Sequence, residues 1–95
     1  MSEVEAPKVK EVKTLKELYQ NVNTRLGIRL SEEFALTIKH KPSKYGSKFV
    51  VTIWRTVLVQ RSWLIQARTK PIGNLIVYSK EALESVLTKL FRLDL

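Results

Sequence analysis

The chain has 95 residues, 44% of them hydrophobic, and sets 17 basic side chains against 9 acidic ones for a formal net charge of +8. That length suits one small domain and leaves no room for a second, while the apolar fraction argues against a disordered polyelectrolyte. There is no cysteine and one histidine, His40. Disulfides and thiolate metal sites are therefore excluded, and neither a metal nor another cofactor is expected.

No apolar run approaches the ~20 residues that span a bilayer, and the N-terminus lacks the core of a signal peptide. The expectation is a soluble cytoplasmic or nucleoid-associated protein with no membrane partner. Scarce cysteine and methionine beside many charges give a weak thermophile signature.

Residues 1–13, MSEVEAPKVKEVK, lack helical periodicity and are interrupted by Pro7, which reads as a flexible arm ahead of a single domain over 14–95. Thr14 stands as an N-cap, and Glu17 completes a capping box. Leu15, Leu18, Tyr19, Val22 and Leu26 follow at helical spacing with Gly27 as a C-cap, predicting a helix over 15–26. Ile28-Arg29-Leu30 leads out of it, and Ser31-Glu32-Glu33 reads as a turn.

From Phe34 the period changes to two. Phe34, Leu36, Ile38 and His40 alternate with Ala35, Thr37, Lys39 and Lys41 as a half-buried strand. Residues 41–47 supply a flexible turn. Lys48 to Gln60 then forms a strand with Phe49, Val51, Ile53, Val57 and Val59 on one face. Lys48, Val50, Thr52, Trp54, Thr56, Leu58 and Gln60 take the other. Arg55 falls on the apolar side, and a β-bulge near Arg55-Thr56 that rotates it outward is preferred to a strand break.

A third strand is predicted over Ser62–Thr69, a turn at Lys70-Pro71-Ile72-Gly73, and a fourth strand over Asn74–Tyr78. Ser79 caps a final helix whose stripe is Ala82, Leu83, Val86, Leu87, Leu90 and Phe91. The predicted fold is α+β: a four-stranded antiparallel sheet flanked by an N-terminal and a C-terminal helix, in the order α-β-β-β-β-α.

Charge is partitioned along this plan. Phe34–Lys80 holds nine basic residues (Lys39, Lys41, Lys44, Lys48, Arg55, Arg61, Arg68, Lys70 and Lys80) and no acid. All the acids lie outside it, in the arm, the helices, one turn and the tail. A one-signed field of this kind points to a polyanionic partner, most often nucleic acid.

Catalysis is not expected. The strands contain no carboxylate, His40 has no partner in the sequence, and the glycines stand singly, so neither a general acid–base pair nor a phosphate loop is present. Binding fits better, because Tyr45, Trp54, Trp63 and Tyr78 interleave with the cations. Cations track phosphates while aromatic faces stack on unpaired bases, each stack being worth roughly 1–3 kcal/mol.

Trp54 is a stacking platform or a partner-interface residue on an open face, or else core beneath a helix, and these readings stay open. Trp63, on a face with Ile65 and Ala67, reads as core. Arg68 and Lys70 are phosphate-contact candidates, and Lys41, Lys44 and Lys48 bracket a loop placed to close over a strand.

Lys48-Phe-Val-Val-Thr-Ile-Trp-Arg55, Lys70-Pro-Ile-Gly73 and Leu75-Ile-Val-Tyr-Ser-Lys-Glu-Ala-Leu83 resemble the positive cofactor four family of single-stranded-DNA-binding transcription coactivators. Similar single-strand-binding proteins occur in archaeal thermophiles. The likeness covers about half the chain. It departs where Trp54 intervenes before Arg55, where Gly73 sits early, and where Leu83 stands at the family's helix tryptophan. The resemblance implies a homodimer joined through the C-terminal helices by Leu83, Val86, Leu87, Leu90 and Phe91.

The expected function is non-catalytic binding of single-stranded DNA or RNA through the basic, aromatic-bearing sheet, by Lys39, Lys41, Lys44, Tyr45, Lys48, Trp54, Arg55, Arg61, Arg68 and Lys70. One alternative is a small accessory subunit of a polymerase, transcription or ribosomal complex. Another is a chromosomal or viral protein that coats duplex.

Overall fold

Period-two alternation governs more of the chain than the sequence reading allows. In a computed structural model describing residues 9–94, five strands form one sheet. They are β1 (Lys10–Val12), β2 (Thr24–Arg29), β3 (Phe34–Ser43), β4 (Gly46–Arg61) and β5 (Leu64–Val77). Their spatial order follows the chain, β1-β2-β3-β4-β5. β1 runs parallel to β2 and the other neighbours are antiparallel. Helix α1 (Leu15–Gln20) links β1 to β2, and α2 (Lys80–Lys89) follows β5.

The architecture is α+β, but the sheet is mixed and has five strands rather than four antiparallel ones. Part of the segment read as a flexible arm is strand: β1 lies within it, with Val12 buried and Glu11 ion-paired to Arg25 across the ladder. Residues 1–8 lie outside the described part. The single helix over 15–26 gives way to a short helix and a strand.

α1 begins as expected, with Glu17 N–H donating to Thr14 Oγ1 at 3.2 Å, and stops at Gln20. Asn23 then adopts a left-handed φ of 59°, which asparagine tolerates better than most residues. Beyond it Thr24 and Leu26 are buried at alternate positions, a strand period. Gly27 therefore lies inside β2 and caps no helix.

Two predicted turns also change character. Lys44-Tyr45 is a two-residue turn between β3 and β4, with Gly46 at φ 117° supplying a backbone conformation that side-chain-bearing residues avoid. Lys41 and Lys48 are thus ladder partners, not loop residues. At Lys70–Gly73 the chain does not turn: β5 is one strand from Leu64 to Val77. The register shifts between Ile53 and Trp54, whose partners are Gly73 and Pro71, so the extra residue is Ile72 on β5. The irregularity falls on the partner of the strand expected to carry it, one pair before Arg55.

Both helices pack on one face. Leu18 of α1 and Leu83 and Leu87 of α2 join Leu36, Ile38, Phe49, Val51 and Val77 in the core. α2 opens on the predicted cap, Ala82 N–H donating to Ser79 Oγ at 3.0 Å. Of the stripe expected to face a second copy, Leu83 and Leu87 are fully buried within this chain, Val86 and Phe91 are half-buried, and Leu90 is exposed.

Tyr19 joins the helices, meeting Phe49 edge-on at 5.7 Å and donating its hydroxyl to Glu84 at 3.2 Å. Burial first, then the charge and hydrogen bond of Glu84, push its phenol up from 10.0 to about 12. The fold favours the neutral phenol, so this stabilisation is complete below pH 10 and is lost as pH rises toward about 12. Tyr19→Phe is expected to flatten that alkaline limb. Thermal melts of both proteins across the range would show parallel losses if Tyr19 played no part.

Candidate nucleic-acid interface

The face of the sheet opposite the helices is built by odd-numbered residues of β2 and β3 and even-numbered residues of β4; on β5 it takes Asn74 and Ile76 and, past the bulge at Ile72, odd-numbered residues instead. Register carries rows of side chains across it. Arg25, Lys39, Val50 and Ile76 form one row, and Gly27, Thr37, Thr52 and Asn74 the next. Arg29, Ala35 and Trp54 follow on one side, Lys41 and Lys48 on the other. No residue of this face is buried. Strands β2 to β5 contain no Asp or Glu.

Trp54 is ordered on this surface without being covered. Its ladder partner is Ala35, too small to obstruct the indole, which reaches past it to donate Nε1–H to Thr37 Oγ1 at 2.8 Å. The reading of Trp54 as core beneath a helix falls away, because both described helices pack on the other face. A half-buried, hydrogen-bonded indole on an open sheet is an oriented stacking surface.

The cations of the same face stand in directly opposed pairs and are mostly uncompensated. Lys41 stands directly opposite Lys48, and Arg25 opposite Lys39. Like charges directly opposite each other destabilise a sheet. Arg25 is relieved by Glu11. Arg29, Lys39, Lys41 and Lys48 have no ion-pair partner among the described residues.

The remaining predicted site residues lie elsewhere. Lys44 and Tyr45 form the exposed β3–β4 turn at one end of the face. Arg55, Arg61, Arg68 and Lys70 point to the other side of the β4–β5 ribbon. Arg55 remains on the core-side alternation, with no rotation outward. Its charge is accommodated because the core has ended there: it sits 6.0 Å from the Phe34 ring and donates to Glu33. Trp63 and Ile65, read as core, are 85% and 64% exposed, since none of the described residues outside the ribbon covers it at that point.

Arg25 and Arg29 are functional candidates that sequence reasoning missed. The signal is present in Thr24-Arg-Leu-Gly-Ile-Arg29, where apolar and basic residues alternate, but its first half falls in the predicted helix and Arg29 in the segment leading out of it.

His40 has a structural task. Its ring stacks on Phe49 at 4.5 Å, and Nδ1 lies 2.7 Å and 2.8 Å from the carbonyl oxygens of Leu18 and Asn21. Carbonyls only accept, so Nδ1 carries the hydrogen and satisfies the end of α1. Nε2 is buried without a partner among the described residues. No carboxylate orients the ring, and no group of three or more metal-ligating side chains occurs among the described residues. No described helix is long and apolar enough to cross a membrane.

No family, curated protein or solved structure matches the chain.

Proposed function

We propose that this protein binds single-stranded DNA or RNA, without catalysis, along the helix-free face of its sheet. The observation that carries the reading is the pairing of Lys41 with Lys48 on the same unburied surface, free of carboxylates across β2 to β5, that presents Trp54. An arrangement that costs stability in the free protein is relieved when phosphates lie across it. The indole then stacks on bases that only an unpaired strand exposes. Turn residues Lys44 and Tyr45 extend the same track.

Titration with a single-stranded oligonucleotide tests this directly. Trp54→Ala is expected to weaken binding by about 1–3 kcal/mol, roughly 5- to 150-fold. In a Trp63→Phe background, where Trp54 is the sole indole, saturating oligonucleotide quenches the fluorescence. Full affinity in Trp54→Ala together with unquenched emission would overturn the stacking role.

A second reading, an accessory subunit acting through protein contacts, draws on exposed apolar Leu58, Trp63 and Ile65. It predicts that the free chain binds oligonucleotides poorly at any salt concentration.

A further inference from the structure

The last pair that β3 makes with β4 is Phe34 with Arg55. Past it, and past a last backbone hydrogen bond from Thr56 N–H to Glu33 O at 2.7 Å, β4 and β5 continue as a two-stranded ribbon, pairing six times from Thr56 with Thr69 to Arg61 with Leu64. At 3.3–3.4 Å per residue this two-stranded arm projects about 20 Å. Every residue from Arg61 to Lys70 is exposed. The radius of gyration, 15.8 Å, exceeds the roughly 12 Å of a compact chain of this length. The tip is the turn Ser62-Trp63, and its left-handed φ of 58° at Ser62 alone is the pattern of a type II′ turn.

The arm sorts its charge by face. Arg55 and Lys70 are ladder partners, Arg68 lies opposite Val57, and Arg61 opposite Leu64. Alternation puts these four cations on the core-side face of the ribbon. The other face carries Thr56, Leu58, Gln60, Ile65, Ala67 and Thr69, with no charge. Arg55 and Arg61 therefore lie on the opposite side of β4 from Lys48 and Trp54, and all four arm cations on the opposite face of the sheet from Lys41. One single strand laid along the open face does not meet them. A second segment of polyanion is required.

The chemistry of the second surface also differs. Beyond Phe34 at its root it holds no aromatic ring, so it contacts phosphates without stacking on bases. A ribbon of two strands about 4.8 Å apart fits a major groove about 12 Å wide. At the root, Glu32 and Glu33 line a groove of about 600 Å³ with Arg55 to Leu58, and these carboxylates repel phosphate there. The contact is thereby displaced outward to Lys70, Arg68 and Arg61.

We propose that the arm is a duplex contact and that the protein's preferred ligand is a junction between single-stranded and duplex nucleic acid. This rests on the open face taking the single strand.

The test compares a single-stranded oligonucleotide, a blunt duplex and a duplex bearing a single-stranded tail, with equal numbers of phosphates. Two covalently joined contacts are expected to hold the tailed duplex about 10²-fold tighter than either part. Arg61→Gln/Arg68→Gln/Lys70→Gln, all at exposed positions and checked by thermal melt, should erase that advantage. It should leave single-strand affinity unchanged and lower the salt slope on the tailed duplex by about 2.7, three contacts at about 0.9 each.

A tailed duplex bound no tighter than the single strand overturns the junction, as does a triple variant that weakens every probe alike. Trp54→Ala keeps the two readings apart. If it abolishes single-strand binding while the tailed duplex shows no advantage, the open face stands and the junction falls. If single-strand binding survives it while the triple variant still erases duplex binding, the open-face reading has failed and the junction falls with it.

Discussion

Lys48→Glu is expected to make the protein more stable and a much weaker binder. In the ladder Lys48 faces Lys41 directly, so glutamate turns a repulsive cross-strand pair into an attractive one, a gain of about 0.5–1 kcal/mol in free energy of unfolding. Binding moves the opposite way. Arg29, Lys39, Lys41 and Lys48 are the open-face cations lacking an ion-pair partner among the described residues.

If each neutralises one phosphate, log K falls by about 2.8 per decade of salt, so tenfold more salt weakens the wild type about 600-fold. Glutamate at 48 removes one contact and engages Lys41 in another, leaving a slope of about 1.4. Chemical denaturation and a salt series on a single-stranded oligonucleotide read the two effects separately. Greater stability with an unchanged slope would mean that these lysines touch no phosphate. Wild-type affinity insensitive to salt would remove the electrostatic account altogether.

Opposite signs in one variant also distinguish a binding surface from a solvated one. Natural sequences commonly retain residues that could be changed at a gain in stability, so the lysine pair gains meaning from what shares its surface. Natural proteins tolerate such frustration where function uses it. Here the frustrated pair shares its surface with an indole held by Thr37, and with no carboxylate other than Glu11 at its margin.

How far the sequence foretells this surface depends on whether one signal acts alone at each element. β3 and the first half of β4 are legible because alternation is unbroken from Phe34 to Ile53 apart from a tight turn, and the buried set Leu36, Ile38, His40, Phe49 and Val51 is the one alternation selects. α2 is legible because its cap and stripe agree.

The misreadings arise where two periods overlap. Leu26 satisfies helical spacing from Val22 and strand spacing from Thr24, and only the left-handed Asn23 between them decides for the strand. At Lys70-Pro71-Ile72-Gly73, proline and glycine read as a turn. Yet β5 is the edge of the sheet, where a proline leaves no ladder bond unmade on its free side and a bulge is tolerated. Trp63 is misplaced for a related reason: alternation assigns a face, but nothing local says that β3 has ended and that no core lies beyond Arg55. Of the site, Trp54 and the lysines of β3 and β4 were legible, whereas the division of the cations between two faces required the register.

The largest loss of stability is expected from Leu87→Ala, and its dependence on concentration decides what α2 packs against. Leu87 and Leu83 are both fully buried within one chain, against a sheet face formed by Leu36, Ile38, Phe49, Val51 and Val77. Truncating such a leucine costs about 2–5 kcal/mol through lost transfer energy and an unfilled cavity. That is a large share of the 5–15 kcal/mol available to a domain, and it lowers the melting midpoint by roughly 10–30 °C at this size.

Leu90, 67% exposed on the same helix, should tolerate Leu90→Ser with little change. Because the leucines are spent on their own sheet, the midpoints of wild type and Leu87→Ala should each stay constant over a hundredfold range of protein concentration. A homodimer joined through this stripe predicts otherwise. Its midpoint rises with concentration by mass action, and Leu90→Ser destabilises it by uncovering a shared contact. Either result would mean that α2 divides its apolar face between its own sheet and a second copy.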